Sequence, residues 1–344
     1  MKLLLILFMT SICFGKDFKS MGQELEFRYL DIDESSQVWG LDFIDANNFL
    51  YTTQEGKVYS YDLKKKLKKE IKHNLNNIKS KGQGGLLDIK IEKDQVYVTF
   101  SLKEGDKART ALAKAKLTST ELNFDIIFKS KTLSKNSHHY GSRILIDKAS
   151  LYLTIGDRGE RDKAQDKSFH NGKVLKLTLD GKPFGDKKSD AIFTLGHRNP
   201  QGITSYEGKV YVGEFGPQGG DEVNVLRQGN NYGWPKVTFG EEYGGGNIGK
   251  NSGFTMPLVH WKPSISFSGI DVYKGKKISK WKGHLFLACL ATAQLRRVNL
   301  NDTKDQESLL KDLGERFRMV RMSPDERLFL TFDSGKIGYI TNKK

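Results

Sequence analysis

Cysteine is nearly absent from this chain of 344 residues, which contains only Cys13 and Cys289. Cys13 lies in an apolar N-terminal run, so removal of that run would leave one thiol and no possible intramolecular disulfide. The cysteines and histidines also lack the spacing of a zinc site. These absences exclude a disulfide scaffold, and the apolar neighbours of Cys289 predict that it is a small buried side chain.

Proline is also scarce, with 7 residues against 35 glycines. Turns must therefore be built mainly on Gly, Asn and Asp, which favours many short strands joined by tight turns over long helices. Aromatic residues still make up 11 % of the chain, enough to fill a core. The composition thus predicts a β-rich protein.

Long hydrophobic runs are confined to the N-terminus, where Lys2 precedes an apolar stretch and small residues follow up to Gly15. This order predicts a secretory signal peptide over residues 1–15, and therefore a periplasmic or secreted protein. A lipoprotein anchor at Cys13 is the less favoured alternative, because Ile12 is bulky for a lipobox. No later segment is apolar enough for membrane insertion.

Acidic residues are outnumbered by basic ones, giving a net charge of +15. Much of the excess is lysine scattered through turns, as in 64–69, and no nucleic-acid-binding module accompanies it. We therefore expect a solvated basic surface and no nucleic-acid partner. A positive field of this kind would also attract an acidic cofactor.

Short strand-like runs recur about every 50 residues, the length of a four-stranded propeller blade. They include the segments 49–52, 95–100, 151–154, 210–212 and 327–331. Without the signal, residues 16–344 hold about six such units and show no linker. The sequence predicts one all-β domain, a six-bladed β-propeller. A pair of β-sandwiches is the competing architecture.

Familiar nucleotide-binding and hydrolase motifs are missing. The one G-x-G-x-x-G match, residues 244–249, neither follows a clear strand nor opens a helix, and no Walker loop occurs. A G-x-S-x-G elbow is also absent. These gaps argue against dinucleotide chemistry and against a serine hydrolase.

Glycine-rich loops carry the polar residues that suit a ligand site. They are residues 82–88, 156–162, 196–202 and 213–222, with a fifth cluster at 316–318. Loops on one face of a propeller converge on its axis. Arg198, Arg316 and Arg318 would then bind an acidic ligand. The main-chain carbonyls of Gly216 and Pro217 suit a hard cation such as Ca²⁺.

His139 is the predicted catalytic base. It lies at a junction between a loop and a strand that starts near Ile144, and a neutral imidazole accepts protons near neutral pH. On a strand, His138 and His139 would point in opposite directions, so one of them at most would face the axis. His73, His260 and His284 lack such a loop context and are interpreted as packing or surface residues.

In four segments the sequence resembles the pyrroloquinoline-quinone (PQQ) dependent glucose/sorbosone dehydrogenases, which include the aldose sugar dehydrogenases. The similar segments are 196–202, 213–222, 230–235 and 263–269, with further matches at 156–159 and 171–175. The resemblance implies a six-bladed β-propeller with a cofactor cleft on one face, where PQQ would bind centrally. It also implies oxidation of an aldose at its anomeric carbon to the lactone, with electrons passed to an unknown periplasmic acceptor.

The resemblance also assigns roles to individual residues. It implies that His139 is the general base, and it places Gln83 near both cofactor and substrate and Asp157 at the substrate. The expected PQQ contacts are Gln83, Arg198, Asn199, Arg316 and Arg318. The expected Ca²⁺ ligands are Gly216 and Pro217, with a second Ca²⁺ position at Glu222 and Tyr232.

Three positions depart from the family pattern. Phe215 replaces the usual His or Gln, the segment around Ala291 lacks a lysine, and His138 replaces an acidic residue. Phe215 and the missing lysine slightly favour one alternative, a non-catalytic propeller that binds carbohydrate or protein through the same face. A separate alternative is a Ca²⁺-dependent lactone-hydrolysing propeller, which would need carboxylate and Asn ligands at the axis, and the carbonyls of Gly216 and Pro217 are a poor substitute for these.

Overall fold

A computed structural model describes residues 15–185, 191–246, 248–249 and 253–343. Apart from Gly15, with which the first strand begins, the predicted signal peptide lies outside these residues. The described residues form 26 strands and three short 3-10 helices, Arg161–Ala164, Ser279–Trp281 and Lys311–Leu313. No helix in these ranges is long and apolar enough to span a membrane.

The strands form six sheets, which we number as blades 1 to 6. The first two strands are β1 (Gly15–Ser20) and β2 (Gln23–Asp33). Blade 1 contains β3 (Val38–Phe43), β4 (Asn48–Thr53), β5 (Val58–Asp62) and β6 (Leu67–His73). Blade 2 contains β7 (Leu86–Glu92), β8 (Gln95–Glu104) and β9 (Lys107–Lys116); the short β10 (Glu121–Leu122) joins blade 1, and β11 (Asp125–Lys129) completes blade 2.

The remaining blades follow in chain order. Blade 3 contains β12 (Ile144–Asp147), β13 (Ser150–Ile155), β14 (Lys173–Thr178) and β15 (Ile192–Leu195). Blade 4 contains β16 (Pro200–Tyr206), β17 (Lys209–Glu214), β18 (Asp221–Val225) and β19 (Val259–Trp261). Blade 5 contains β20 (Phe267–Val272), β21 (His284–Cys289), β22 (Gln294–Asn299) and β23 (Gln306–Leu309). Blade 6 contains β24 (Phe317–Met322), β25 (Leu328–Phe332) and β26 (Lys336–Asn342) beside β1 and β2.

The ring closes where the two ends of the chain share blade 6. Strand β2 pairs with β26 in antiparallel register, with Phe27 opposite Ile340. Phe27 also packs edge-on against Phe332, so the closing sheet has its own aromatic core. The predicted six-bladed propeller is confirmed, and the paired-sandwich alternative is excluded.

Apolar strands fill the space between neighbouring blades. All six residues of β13 and all six of β21 are buried, which explains why these strands lack polar alternation. Cys289 ends β21 as a buried free thiol, as expected from its apolar neighbours. Burial raises the pKa of this thiol to about 12, so it is an unreactive packing group.

The axis is closed by Arg143, which immediately precedes β12 and is 3 % exposed. Its guanidinium donates hydrogen bonds to the innermost segments of all five other blades. The acceptors are the main-chain oxygens of Trp39, Gln201 and Arg318, the Asp88 carboxylate and the Ser268 hydroxyl. One side chain therefore ties the six blades together below the cleft described next.

Candidate functional site

A cleft of about 390 Å³ opens at one end of the axis. In an antiparallel blade, the segment before the innermost strand and the loop between the second and third strands lie at the same end. This topology brings distant loops together. The lining includes Gln83, His139, Arg198, Asn199, Gly216, Pro217, Arg316 and Arg318, eight of the eleven predicted site residues.

The loop that carries His139 has an unusual backbone. We expected His138 and His139 to alternate along a strand, which was wrong: neither is in a strand, and His139 has φ +54°. Their rings lie edge to face with centres 4.6 Å apart. Gln83 holds this conformation, because its Oε1 accepts from the His139 N–H at 2.8 Å. Gly156 is required beneath the loop, since a Cβ there would lie 2.1 Å from the His139 carbonyl oxygen.

Arg158 fixes the same loop from below and was missed in the sequence. It is fully buried and donates to the main-chain oxygens of Asn136 and His138. Its guanidinium also lies 3.5 Å from the centre of the Tyr140 ring. The only signal in the sequence was its place in a glycine-rich loop, since an arginine that binds main-chain carbonyls has no distinctive pattern.

His139 is held ready to accept a proton. Its Nδ1 lies 2.7 Å from Oδ1 of Asp157, and its Nε2 has no hydrogen-bond partner in the described chain. Burial lowers the pKa of His139, and the hydrogen bond that its Nδ1–H donates to Asp157 offsets this only in part. A neutral imidazole whose Nδ1–H faces the carboxylate presents a free Nε2 lone pair.

Asp157 was predicted at the substrate, and in the structure it lies behind His139. It is 1 % exposed and is not part of the cleft lining. Burial raises the pKa of this carboxyl, but hydrogen bonds from His139 and the Gly159 N–H outweigh burial and lower it. Asp157 therefore stays ionised and orients the imidazole.

The blade 6 arginines share one carboxylate that the sequence did not single out. Asp333 accepts from Nε of Arg316 at 2.9 Å and from Nε of Arg318 at 2.8 Å. The Arg318 guanidinium also lies 4.4 Å from the centre of the Trp39 ring. Both Nη groups of Arg318 lack a hydrogen-bond partner among the described residues, so they remain available to an acidic ligand in the cleft.

Arg198 supplies a third guanidinium from blade 4. Its Nη1 donates to the Gly216 carbonyl at 2.8 Å, and its Nε is buried without a partner in the described chain. Asn199 bridges two loops, accepting from the Gly141 N–H and donating weakly to Gln83. Three arginines with unused N–H groups in one cleft fit a group that carries several carboxylates, as PQQ does.

The carbonyl pair expected to bind Ca²⁺ already accepts hydrogen bonds from side chains. Gly216 accepts from Arg198, and Pro217 accepts from the Tyr243 hydroxyl at 3.2 Å. The Phe215 side chain adds no polar atom. Across the described ranges, no group of three His, Cys, Asp or Glu side chains is arranged to hold a metal. Each carbonyl keeps a second lone pair, so the chain offers two oxygens here, too few for Ca²⁺ alone.

The second expected calcium position is a separate small cavity of about 20 Å³. Glu222 and Tyr232 line it together with Glu214, and the nearby Asn224 has a buried Oδ1 without a partner in the described residues. The Tyr232 hydroxyl is used within the fold, since it donates to the Val225 carbonyl. Burial, and then the charge of Glu214, raise the pKa of Glu222 to about 8. Two crowded carboxylates and an orphaned amide oxygen fit a small cation.

Comparison with known proteins agrees with this geometry. The model of the glucose/sorbosone dehydrogenase family matches residues 35–340. The chain is 30 % identical over 328 residues to the aldose sugar dehydrogenase YliI of Escherichia coli (strain K12), covering 88 % of each protein.

Solved structures show the same fold. The crystal structure of the apo-form of the E. coli aldose sugar dehydrogenase is 27 % identical with a TM-score of 0.85, covering 93 % of this chain and 100 % of that one. A PQQ-bound aldose sugar dehydrogenase from Streptomyces coelicolor is 24 % identical with a TM-score of 0.76, covering 93 % and 98 %. The chain belongs to the glucose/sorbosone dehydrogenase family.

Proposed function

We propose that this protein is a PQQ-dependent dehydrogenase that oxidises an aldose at its anomeric carbon to the lactone. The observation that carries the proposal is the pairing, in one cleft, of a free His139 Nε2 with the guanidinium groups of Arg198, Arg316 and Arg318. The first feature suits removal of a hydroxyl proton, and the second suits retention of an acidic cofactor. The names of the E. coli and S. coelicolor relatives support the same activity and cofactor.

The residues of this chain account for the proton. Oxidation of the anomeric C–H and O–H to C=O releases a hydride and a proton from the sugar. Bound PQQ would supply the acceptor for the hydride and its two electrons. His139 Nε2 accepts the hydroxyl proton, and Asp157 stabilises the imidazolium that forms through the 2.7 Å contact with Nδ1. Gln83 keeps Nε2 in the cleft by holding the His139 main chain.

The arginines bind and orient the cofactor. Arg318 and Arg316 each use Nε to bind Asp333, which leaves other N–H groups on both side chains for carboxylates. Arg198 and Asn199 are the proposed contacts from blade 4. Gln83 contacts both His139 and Asn199, and it is the proposed contact to both substrate and cofactor.

We propose that Ca²⁺ binds at Gly216 and Pro217 only together with the cofactor, because two carbonyl oxygens do not complete the coordination of this ion. A second Ca²⁺ is proposed beside Glu222 and Tyr232, where the carboxylates of Glu214 and Glu222 lie close together. Export to the periplasm and a periplasmic electron acceptor complete the proposal and rest on the N-terminal sequence.

The direct test is an absorbance titration of the purified protein with PQQ, with and without Ca²⁺, followed by a dye-linked assay with a panel of aldoses. We expect micromolar or tighter PQQ binding and sugar-dependent dye reduction. Sugar binding without PQQ binding would overturn the proposed dehydrogenase activity. It would favour the non-catalytic propeller, an alternative with which the apolar side chain of Phe215 is consistent. Lactone hydrolysis without dye reduction would favour the hydrolase alternative.

A further inference from the structure

The Asp157 carboxylate, which lies behind the base, has a third hydrogen-bond partner that no motif assigned. The indole N–H of Trp234 donates to Oδ2 of Asp157 at 2.8 Å, and Trp234 is buried. The other oxygen, Oδ1, accepts hydrogen bonds from His139 Nδ1 and from the Gly159 N–H, both at 2.7 Å. Both oxygens of this buried carboxylate are therefore engaged, each on a defined side.

Trp234 is held in place independently of Asp157. Its main-chain N–H donates to the Gly196 carbonyl at 2.9 Å, and its carbonyl accepts from the Gln165 amide at 2.7 Å. The guanidinium groups of Arg161 and Arg198 lie 4.6 and 5.3 Å from the centre of its ring. The indole is thus a fixed donor that reaches from blade 4 to a carboxylate of blade 3.

We propose that Trp234 is a positioning residue for His139: its indole N–H fixes the Asp157 carboxylate and limits how strongly that carboxylate attracts a proton to the imidazole. A carboxylate held at Oδ2 cannot rotate, so Oδ1 stays on Nδ1 and the free lone pair stays on Nε2. The N–H also withdraws charge from the carboxylate, which weakens its stabilisation of the imidazolium. The assignment of His139 as base rests on the proposed function, whereas the contact itself does not.

Few other charges face this pair. His139 is approached by Asp157, Arg198 and the His138 ring, and Arg198 also faces Asp157. Replacing Trp234 by Phe keeps an aromatic ring beside Arg198, but it removes part of the indole ring system together with the N–H. A change in the proton affinity of His139 reports the lost hydrogen bond only when a matched Trp→Phe change elsewhere, and the same change without the Asp157 carboxylate, leave that affinity unaltered.

The experiment is Trp234→Phe with NMR titration of the His139 imidazole in the cofactor-free protein. We expect the pKa of His139 to rise by about half to one unit, since a hydrogen bond to a charged group has a strength of this order. In the PQQ-loaded enzyme the acid limb of the kcat/KM profile should move up by the same amount. Trp281→Phe is the matched control, because that buried indole donates to the neutral Ser20 hydroxyl in another part of the ring.

A second comparison keeps the test valid if a variant folds poorly. In wild type, the indole N–H resonance of Trp234 should shift as His139 titrates, and in Asp157→Asn the Trp234→Phe change should no longer move the pKa of His139. The proposal would be overturned if a folded Trp234→Phe protein had an unchanged pKa of His139, or if the indole resonance of Trp234 did not shift during the titration of His139. If both NMR results were as expected but the enzyme oxidised no sugar, the proposed activity would be rejected and the role of the Trp234 contact would be retained.

Discussion

Nε of Arg318 donates to Oδ1 of Asp333 at 2.8 Å, and this contact decides how the arginine meets a ligand. Because Nε is engaged, the guanidinium plane is fixed while both Nη groups remain without partners in the described residues. Trp39 supports the same group from its ring face. Because this buried arginine is already ordered before a ligand arrives, binding a carboxylate costs it little additional side-chain entropy.

Arg318→Met should therefore weaken PQQ binding by about 10- to 100-fold, the strength of one or two hydrogen bonds between charged groups. The loss is measured by absorbance or calorimetric titration. Arg327→Met is the matched control, since that arginine is in blade 6 but pairs with Asp325 and is not part of the cleft. Equal PQQ affinity in Arg318→Met and wild type would contradict the cofactor assignment.

His139→Gln should lower kcat by about 10²- to 10⁴-fold at saturating PQQ and sugar, because a positioned base contributes that much. PQQ affinity should change less than threefold. The pH profile gives a second measurement. Since burial lowers the pKa of His139, kcat/KM in wild type should fall only below about pH 6.5, where the imidazole becomes protonated.

The pH profile of kcat/KM also tests whether His138, and not His139, is the base. His138→Gln should retain the acid limb, because its ring lies beside His139 without a contact to Asp157. A profile that keeps its acid limb in His139→Gln and loses it in His138→Gln would transfer the role to His138.

The sequence predicted the number of blades, because strand spacing is a local pattern. Eight of the eleven site residues expected from the glycine-rich loops and from the family resemblance line the cleft, whereas their roles stay predictions. The supporting residues were not predictable in this way. Arg158, Asp333 and Trp234 act through contacts between loops that are far apart in the chain, and no spacing rule links them to their partners.

The error in the prediction for the His139 loop has a clear physical origin. The alternation rule for His138 and His139 assumed a strand. The His139 N–H instead donates to Gln83 Oε1 and Arg158 donates to the His138 carbonyl, and these contacts hold the loop in a left-handed turn at His139. The predicted contact of Asp157 with substrate stays a prediction, while its burial and its contact with His139 were not foreseen. Side-chain direction depends on backbone conformation, which the family resemblance did not supply.

Arg143→Met should destabilise the propeller by about 3–5 kcal/mol, because it leaves the buried Asp88 carboxylate without its ion pair. The free energy of unfolding in guanidinium chloride measures the loss. The double variant Arg143→Met/Asp88→Asn should recover part of it, since the buried charge is then removed. A single variant as stable as wild type would show that the six-blade contact at the axis contributes little.

Glu222 makes stability depend on pH when no cation is bound. Its pKa of about 8 lies well above the ordinary value of about 4.3 for a glutamate, so the folded state keeps a proton that the unfolded chain releases. Stability without Ca²⁺ should therefore fall as pH rises from about 5 to 8. Glu222→Gln should flatten this dependence, as measured by thermal unfolding in chelator.

Addition of Ca²⁺ at pH 8 should raise the unfolding temperature of wild type, because a bound cation offsets the repulsion between Glu222 and Glu214. The same addition should have no effect on Glu222→Gln. Glu241→Gln is the control, since Glu241 is partly exposed and pairs with Lys262 at the surface. An equal Ca²⁺ effect in all three proteins would locate the cation elsewhere in the chain and reject Glu222 as its ligand.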